Sequence, residues 1–583
     1  MNAEQLLKHF ERFCEAPDAI PRLRRFILDL AVRGKLVPQD SRDEPTAELL
    51  KGIAAEKARL VKAGEIRRPK EYEPIREDEC PISLPRNWAW SRLCDIGKLA
   101  GGMTPSMNRS DFWGGDVVWL SPKDIKADEI YDSELKISPL GLSETRLELY
   151  RPGCLFIVAR SGILKRTFPV SINRIAAAAN QDMKVLVPFL EGAERYLQIM
   201  FRGLTDFLLR DLVKTGTTVQ SLKYAEFEQQ PFPLPPLAEQ HRIVAKVDEL
   251  MKLCDQLEAA KAEREKCRDS LAAASLQGLN QPAEEEETFR EHARFTFNNL
   301  PRITTRAAHV KQLRQTILNL AVRGKLVEQE PEHESASELL KLIESEKTLL
   351  ARQGLIKKVS RTEALAYEDE PFEVPVNWRW VRLGDILLKL TDGTHHSPPN
   401  GPEGDFKYIT AKNIKPDGLA LNDVTYVSRE VHEEIYSRCN PVKGDILYIK
   451  DGATTGVATV NNLEEPFSML SSVALLKVPQ CILSELIVLF LRSPFFYSQM
   501  RGFMKGAAIT RVTLKRMTPA LLPLPPLAEQ HRIVAKVDEL MAICDQLEAQ
   551  ITATEQDSRR FLESVLAEAL APGIDLRAEA QVA

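Results

Sequence analysis

Apolar residues at Ile243, Val247, Leu250, Cys254 and Leu257 step by four, three, four and three. That spacing puts one apolar stripe along a helix, the a/d seam of a short coiled coil. Pro235 and Pro236 stand where a helix entrance tolerates proline, and the pattern runs on to about residue 278, a helix of roughly 60 Å at ~1.5 Å per residue. The same steps recur at Ile533, Val537, Leu540, Cys544 and Leu547 and extend to Ile551. Upstream, ILDLAVRGKLV sets Ile27, Leu30 and Ala31 on one helix side, and EPTAELLKGIAAEKARLVKAG reads as a second helix stopped at Gly64. Residues 87–232 and 377–522 have another texture. Short β-type runs at 116–120, 154–159, 405–409 and 445–449 are separated by Gly, Asn, Asp and Ser. Each region also holds one helical patch, at 195–212 and 484–500.

These patterns repeat because the residues repeat. PLPPLAEQHRIVAKVDELM at 233–251 returns letter for letter at 523–541, an offset of 290 (523 − 233). LAVRGKLV at 30–37 returns at 320–327, CDQLEA at 254–259 returns at 544–549, and NWAWSRL at 87–93 answers NWRWVRL at 377–383. A solenoid period is about 20–50 residues, so this is a duplicated module of several parts. The expected fold is α+β: two α/β domains separated by two long antiparallel helices that form a short coiled coil. The expected boundaries are a helical segment at 1–86, an α/β domain at 87–232 and a long helix at 233–280. An acidic linker with a second helical segment follows at 281–376, then the second α/β domain at 377–522, the second long helix at 523–572 and a tail at 573–583. If the frame has two-fold symmetry, the segment around 30–37 should lie against the helix at 526–570, closing the chain into a ring.

Composition sharpens this in two places. Hydrophobic content of 44% and charged content of 28% describe an ordinary soluble protein, and the longest apolar runs fall short of the ~18 residues of a membrane span. Nine scattered cysteines without a CxxC pair suit a reducing cytoplasm. Net charge is −5, yet no Asp or Glu occurs between Glu485 and Glu529 or between Arg151 and Gln181. A locally basic face on an acidic whole suits a chain that shares an anionic ligand with partners.

Catalytic signatures are missing: there is no GxxxxGK[ST] phosphate loop and no HExxH. His395 and His396 lack the further ligands a metal site needs, and SPKDIK, with Asp124 and Lys126, is too short to define a nuclease. Recognition groups are better represented. Glycine lets a backbone approach phosphate, and Thr, Gln, Ser, Lys and Arg contact phosphates and base edges. The candidates in the first half are Thr104, Ser106, Arg109, Lys123, Arg160, Lys165, Lys214, Thr217, Thr218, Gln220 and Lys223. In the second they are Thr394, His395, Lys412, Lys450, Thr454, Lys505, Thr510, Arg511 and Lys515.

The repeated helix sequence, LAVRGKLV, NWxWxRL, GGMTPS…FWGGDVVWLSPKDI and GTTVQSL resemble the specificity subunits of type I restriction–modification enzymes over nearly the whole chain. The resemblance implies two target-recognition domains, 87–232 and 377–522, each reading half of a split double-stranded DNA sequence. It implies that the repeated helices space them and dock two methyltransferase subunits, with restriction subunits joining the full complex. The chain itself would bind no cofactor; S-adenosylmethionine, ATP and magnesium would serve the partner subunits. The long helical segments at 1–86 and 281–376 depart from the plainer family layout. Two other classes compete: a fused methyltransferase, which would need a cofactor domain, and a helical interaction scaffold without DNA contact.

Overall fold

A computed structural model describes residues 15–68, 72–80, 82–145, 147–216, 219–280, 286–330, 332, 334–356, 365–501 and 511–570. The chain divides into two compact units, residues 1–264 with 554–583 and residues 265–553. Each unit therefore holds the start of one long helix and the end of the other, the composition expected of an antiparallel pair. Those helices are Leu237–Asn280 and Leu527–Leu570.

In the first unit the helix Ala19–Val32 buries Leu23, Ile27, Leu30 and Ala31 in one core with Ile243, Val247, Leu250 and Cys254 of the long-helix seam. Leu562 and Val565, from the far end of the second long helix, enter the same core. Arg22 donates to Glu563 (3.0 Å) on that helix, and Arg24 to Asp255 (2.6 Å) and Glu258 (2.9 Å) on the first. The ring closure expected from the repeat is thus present. In the second unit Ala307–Val322 plays the same part with Ile533, Val537, Leu540, Cys544 and Leu547, and with Leu276. There Arg314 donates to Asp545 (2.5 Å) and Glu548 (3.1 Å).

The repeated letters at the domain borders pair with one another. Ala89–Arg92 runs antiparallel to Pro231–Leu234, and Arg379–Arg382 to Leu521–Leu524. Each α/β domain is thereby clipped shut at its neck and leaves the frame as an insert. The helical segment grips that neck. Thr46 Oγ1 donates to Asn87 O (2.8 Å) and Leu234 O (3.1 Å), and Lys57 pairs with Asp95 (3.2 Å). In the second unit Lys347, 6% exposed, donates to Asp385 O (2.7 Å). These segments, whose role the sequence left open, brace the inserts.

The inserts share a topology that their sequences hide. The first has strands in the order Gly97–Gly101, Met183–Pro188, Leu155–Val158, Val170–Asn173 and Glu129–Ile130; the second has Lys389–Asp392, Val473–Lys477, Ile446–Ile449 and Ala458–Val460. Each adds a three-stranded sheet whose middle strand, Trp113–Leu120 or Phe406–Ile409, pairs parallel with a short strand, Ala177–Ala179 or Ser468–Met469. The predicted helical patches are Glu194–Gly203 with Thr205–Asp211, and Ser484–Arg492 with Pro494–Arg501.

The glycine of LAVRGKLV is required by the backbone in both copies. Gly34 and Gly324 close their helices at φ +65, a conformation costly for residues with a Cβ. A Cβ at either would also collide with the ring of Pro85 or Pro375. Gly34→Ala should therefore lower stability by about 2 kcal/mol. Gly52→Ala, in an open position within Thr46–Lys62, should raise it by about 0.5–1 kcal/mol. Denaturant unfolding of the two variants checks the contrast; equal effects would contradict it.

Candidate nucleic-acid interface

The first insert gathers three loops on one turn, residues 179–182. Met103 N donates to Ala179 O (2.9 Å), Asn180 N to Leu120 O (2.9 Å), and Arg160 N to Asp182 O (3.1 Å). Thr104 adds a side-chain bond to Gln181. Gly102 has to be glycine, because a Cβ there would strike the carbonyls of Ala179 and Asn180. The indoles of Trp119 and Trp113 donate to Met103 O (3.0 Å) and Ser106 O (3.2 Å), fixing the 102–106 loop from beneath. In the second loop, Asp124 accepts from Ser121 N (2.8 Å), Ser121 Oγ (2.7 Å) and Glu134 N (2.9 Å). Its carboxylate is thus spent on a turn, and Lys123 stands at the exposed tip.

The third loop carries Arg160 into a small sheet, where Arg160 faces Ser221 and Ser221 faces Lys214 across three strands. Residues directly opposite in a sheet point to one face, so Arg160 and Lys214 flank Ser221 there. Lys123, Arg160, Lys165 and Lys214 are exposed and form no ion pair with any described residue. Beside Lys165 an open cleft of about 570 Å³ is lined by Arg25, Lys126, Arg166 and Arg202, with Asp206 also in its wall and Arg202 paired with Asp128 (2.6 Å).

The second insert builds the same arrangement from other residues. Thr394 N donates to Met469 O (2.9 Å), Leu470 N to Ile409 O (3.0 Å), and Lys450 N to Ser472 O (2.9 Å). Gly393 matches Gly102: a Cβ there would strike Met469 O. Thr410 and Asn413 repeat the Ser121–Asp124 turn, with Thr410 N donating to Asn413 Oδ1 (3.0 Å) and Lys412 at its tip. Asp451 bridges to Arg511 where Arg160 faces Ser221. The basic residue thus sits at the same crossing in both inserts, contributed by opposite strands.

Several predicted contacts belong instead to the interior. Lys450 is 2% exposed, with Asp392 at 3.4 Å and Asp451 at 3.2 Å, and Arg438 also reaches Asp392 (3.2 Å). The corresponding positions in the first insert are Ala159 and Gly101, so an ion pair has replaced two small residues. Thr394 is buried under its own loop, with His396 O as its partner (3.1 Å). Gln220 is buried and donates to Gly216 O (3.3 Å), while Lys223 donates to Asp211 O (2.8 Å). Arg109 is held by Asp111 (2.6 Å) over the Phe112 ring (4.2 Å), and exposed Lys412 has Asp423 at 3.1 Å. Ser106, Thr454 and Lys515 are exposed, as are His395, 3.5 Å from Asp392, and Arg511, 3.4 Å from Asp451. Thr217, Thr218, Lys505 and Thr510 lie outside the described residues. The candidate contacts leave out Ser221, at the centre of the small sheet, Lys126 and Arg166, in the wall of the cleft, and the anchoring turns. The recurrence of glycine at 102 and 393, and of S/T-x-K-D/N at 121–124 and 410–413, is the signal that could have found the turns. Among the described residues no cluster of three or more His, Cys, Asp or Glu could hold a metal ion.

The sequence profile of the Type I restriction modification DNA specificity domain matches residues 85–264 and 375–554. The chain is 31% identical over 563 residues to the specificity subunit of the type I restriction enzyme EcoAI of Escherichia coli, covering 94% of this chain and 93% of that protein. It is 28% identical over 575 residues to the EcoEI specificity subunit of Escherichia coli, covering 94% of each.

The geometry separates two kinds of lysine. Lys123→Ala should leave stability unchanged and reduce the salt dependence of duplex binding by about one unit of log–log slope. Lys450→Ala should cost about 3 kcal/mol of stability, because Asp392 and Asp451 stay buried without their counter-charge. Salt titrations and thermal unfolding of the two variants decide; the reverse pattern would overturn this assignment.

Proposed function

The chain belongs to the family of type I restriction modification DNA specificity proteins, and on that premise we propose how it works. It reads a bipartite double-stranded target, one half with residues 87–232 and the other with 377–522. It carries no catalytic machinery. Methyl transfer with S-adenosylmethionine, and ATP- and magnesium-dependent cleavage, belong to methyltransferase and restriction subunits that assemble on it. Its place is the cytoplasm, where DNA and these partners are met; no helix among the described residues is long and apolar enough to cross a membrane.

One observation carries the reading: two inserts of unlike sequence present the same three-loop arrangement, edged by basic residues, on a frame whose strings LAVRGKLV, PLPPLAEQHRIVAKVDELM and CDQLEA repeat letter for letter. Phosphate contacts supply affinity and position, whereas base contacts specify. Reading two different half-sites requires loops that differ on scaffolds that do not.

The frame supports the docking of two equal partners. Burial repeats position by position along AEQHRIVAKVDELM, so core packing accounts for Ile243, Val247 and Leu250 and their second copies. It does not account for His241 and Ala245, which are exposed and yet identical to His531 and Ala535; Asp248 is held by Arg195, and Glu249 and Glu539 pair with Lys246 and Lys536. Exposed identity at two places suits two seats for the same surface.

Expressed with its partner subunits, this chain should direct methylation to one split DNA motif, visible by methylome sequencing. The purified chain alone should neither methylate nor cut DNA. A continuous motif, or methyl transfer by the isolated chain, would sink the reading.

A further inference from the structure

Resting on that function, we propose that Met103 and Met107 read thymine in the half-site met by the first insert, by packing their side chains on its C5-methyl group. Met103 is 48% exposed and Met107 64% exposed. Single exposed apolar side chains are common on protein surfaces; this pair is distinguished by the loop that carries it. Here the backbone is held from below, by the two indoles at Met103 O and Ser106 O and by the Ala179 carbonyl at Met103 N. The Trp113 and Trp119 rings meet edge to face with centroids 5.1 Å apart, so the brace itself is packed. The methionines are thus held outward on a fixed loop.

Their surroundings identify the ligand. The 102–106 loop shares its anchoring turn with the loops that carry Lys123 and Arg160, both exposed and free of ion pairs with described residues. Apolar side chains on a loop joined through one turn to exposed cations fit the edge of a base pair between two phosphate strands. In the major groove the one apolar group on such an edge is the thymine methyl. An unbranched, polarisable thioether side chain adapts to it well. The second insert places buried Thr394 where the first has Met103, each with its N–H on the paired strand's carbonyl. Reading by these methionines is therefore confined to one half of the target.

The test uses the full chain in complex with its methyltransferase subunits and a duplex carrying the target. Each thymine in turn is replaced by deoxyuridine, which removes only the C5-methyl. At one or more positions of the half-site read by residues 87–232, affinity should fall about fourfold, what roughly one buried methyl is worth. The Met103→Ala/Met107→Ala chain should bind more weakly and be indifferent to deoxyuridine at those positions. The corresponding Leu substitutions should keep the sensitivity, and thermal unfolding should be unchanged because the side chains are exposed. Deoxyuridine in the other half-site should respond the same way with or without the methionines. The inference is overturned by a half-site without thymine in either strand, by indifference of the unaltered complex to every replacement, or by sensitivity that survives the double alanine change. Failure of the functional reading shows separately, as an unaltered complex that binds no duplex, and takes this inference with it.

Discussion

Two buried carboxylates hold the frame together. Glu239 and Glu529 sit in the first turn of the long helices at 1% and 2% exposure, where the helix dipole favours negative charge. Gln39 and Gln329, just past the ends of the helical segments, donate to them at 2.6 Å each. In the second unit the indole of Trp378, at the neck of the insert, donates to Glu529 at 2.9 Å. One side chain thus joins a helical segment, an insert and a long helix. Burying such a group without partners costs several kcal/mol, and burial pushes the Glu239 carboxyl above its usual range. Every partner must therefore stay in place together, which accounts for the repetition of whole strings of sequence instead of scattered positions.

A frame so constrained frees the inserts to differ. Both leave it through a two-strand neck, and both rebuild one topology around a turn that collects three loops. What has changed between them is the chemistry at that turn. Gly101 and Ala159 in one insert are answered by Asp392 and buried Lys450 in the other, and Arg160 opposite Ser221 by Asp451 opposite Arg511. Methionines stand out from one loop, while the equivalent threonine is tucked under the other. The frame is constant between the two halves, and the change is concentrated at the loops.

The frame was legible because identity at a fixed offset is a strong signal. The seam residues, the helix bounds and the closure of the N-terminal segment on the last helix all followed from periodicity and the repeat. The loops were legible only in part. Lys123 and Arg160 are the exposed cations their composition suggested. Lys450 sits in KDGATTG, which has the texture of a surface loop, yet tertiary packing closes Asp392 and Asp451 over its ammonium. Gln220 likewise reads as a polar contact and serves its own turn. The likeness of the inserts escaped because their matching elements drift to offsets of 289 and 291 (413 − 124, 393 − 102), and because Asp124 and Asn413 perform one capping role with different side chains. Residue type alone does not separate a cation offered to a ligand from one paired inside.

The central claim is that the frame and the two reading surfaces are independent. It is tested most directly by replacing residues 87–232 with the matching insert of another specificity subunit and sequencing the methylome of cells that express the hybrid with its partners. The account predicts a motif in which one half changes and the other half and the gap between them stay as they were. A motif in which both halves change together would contradict it.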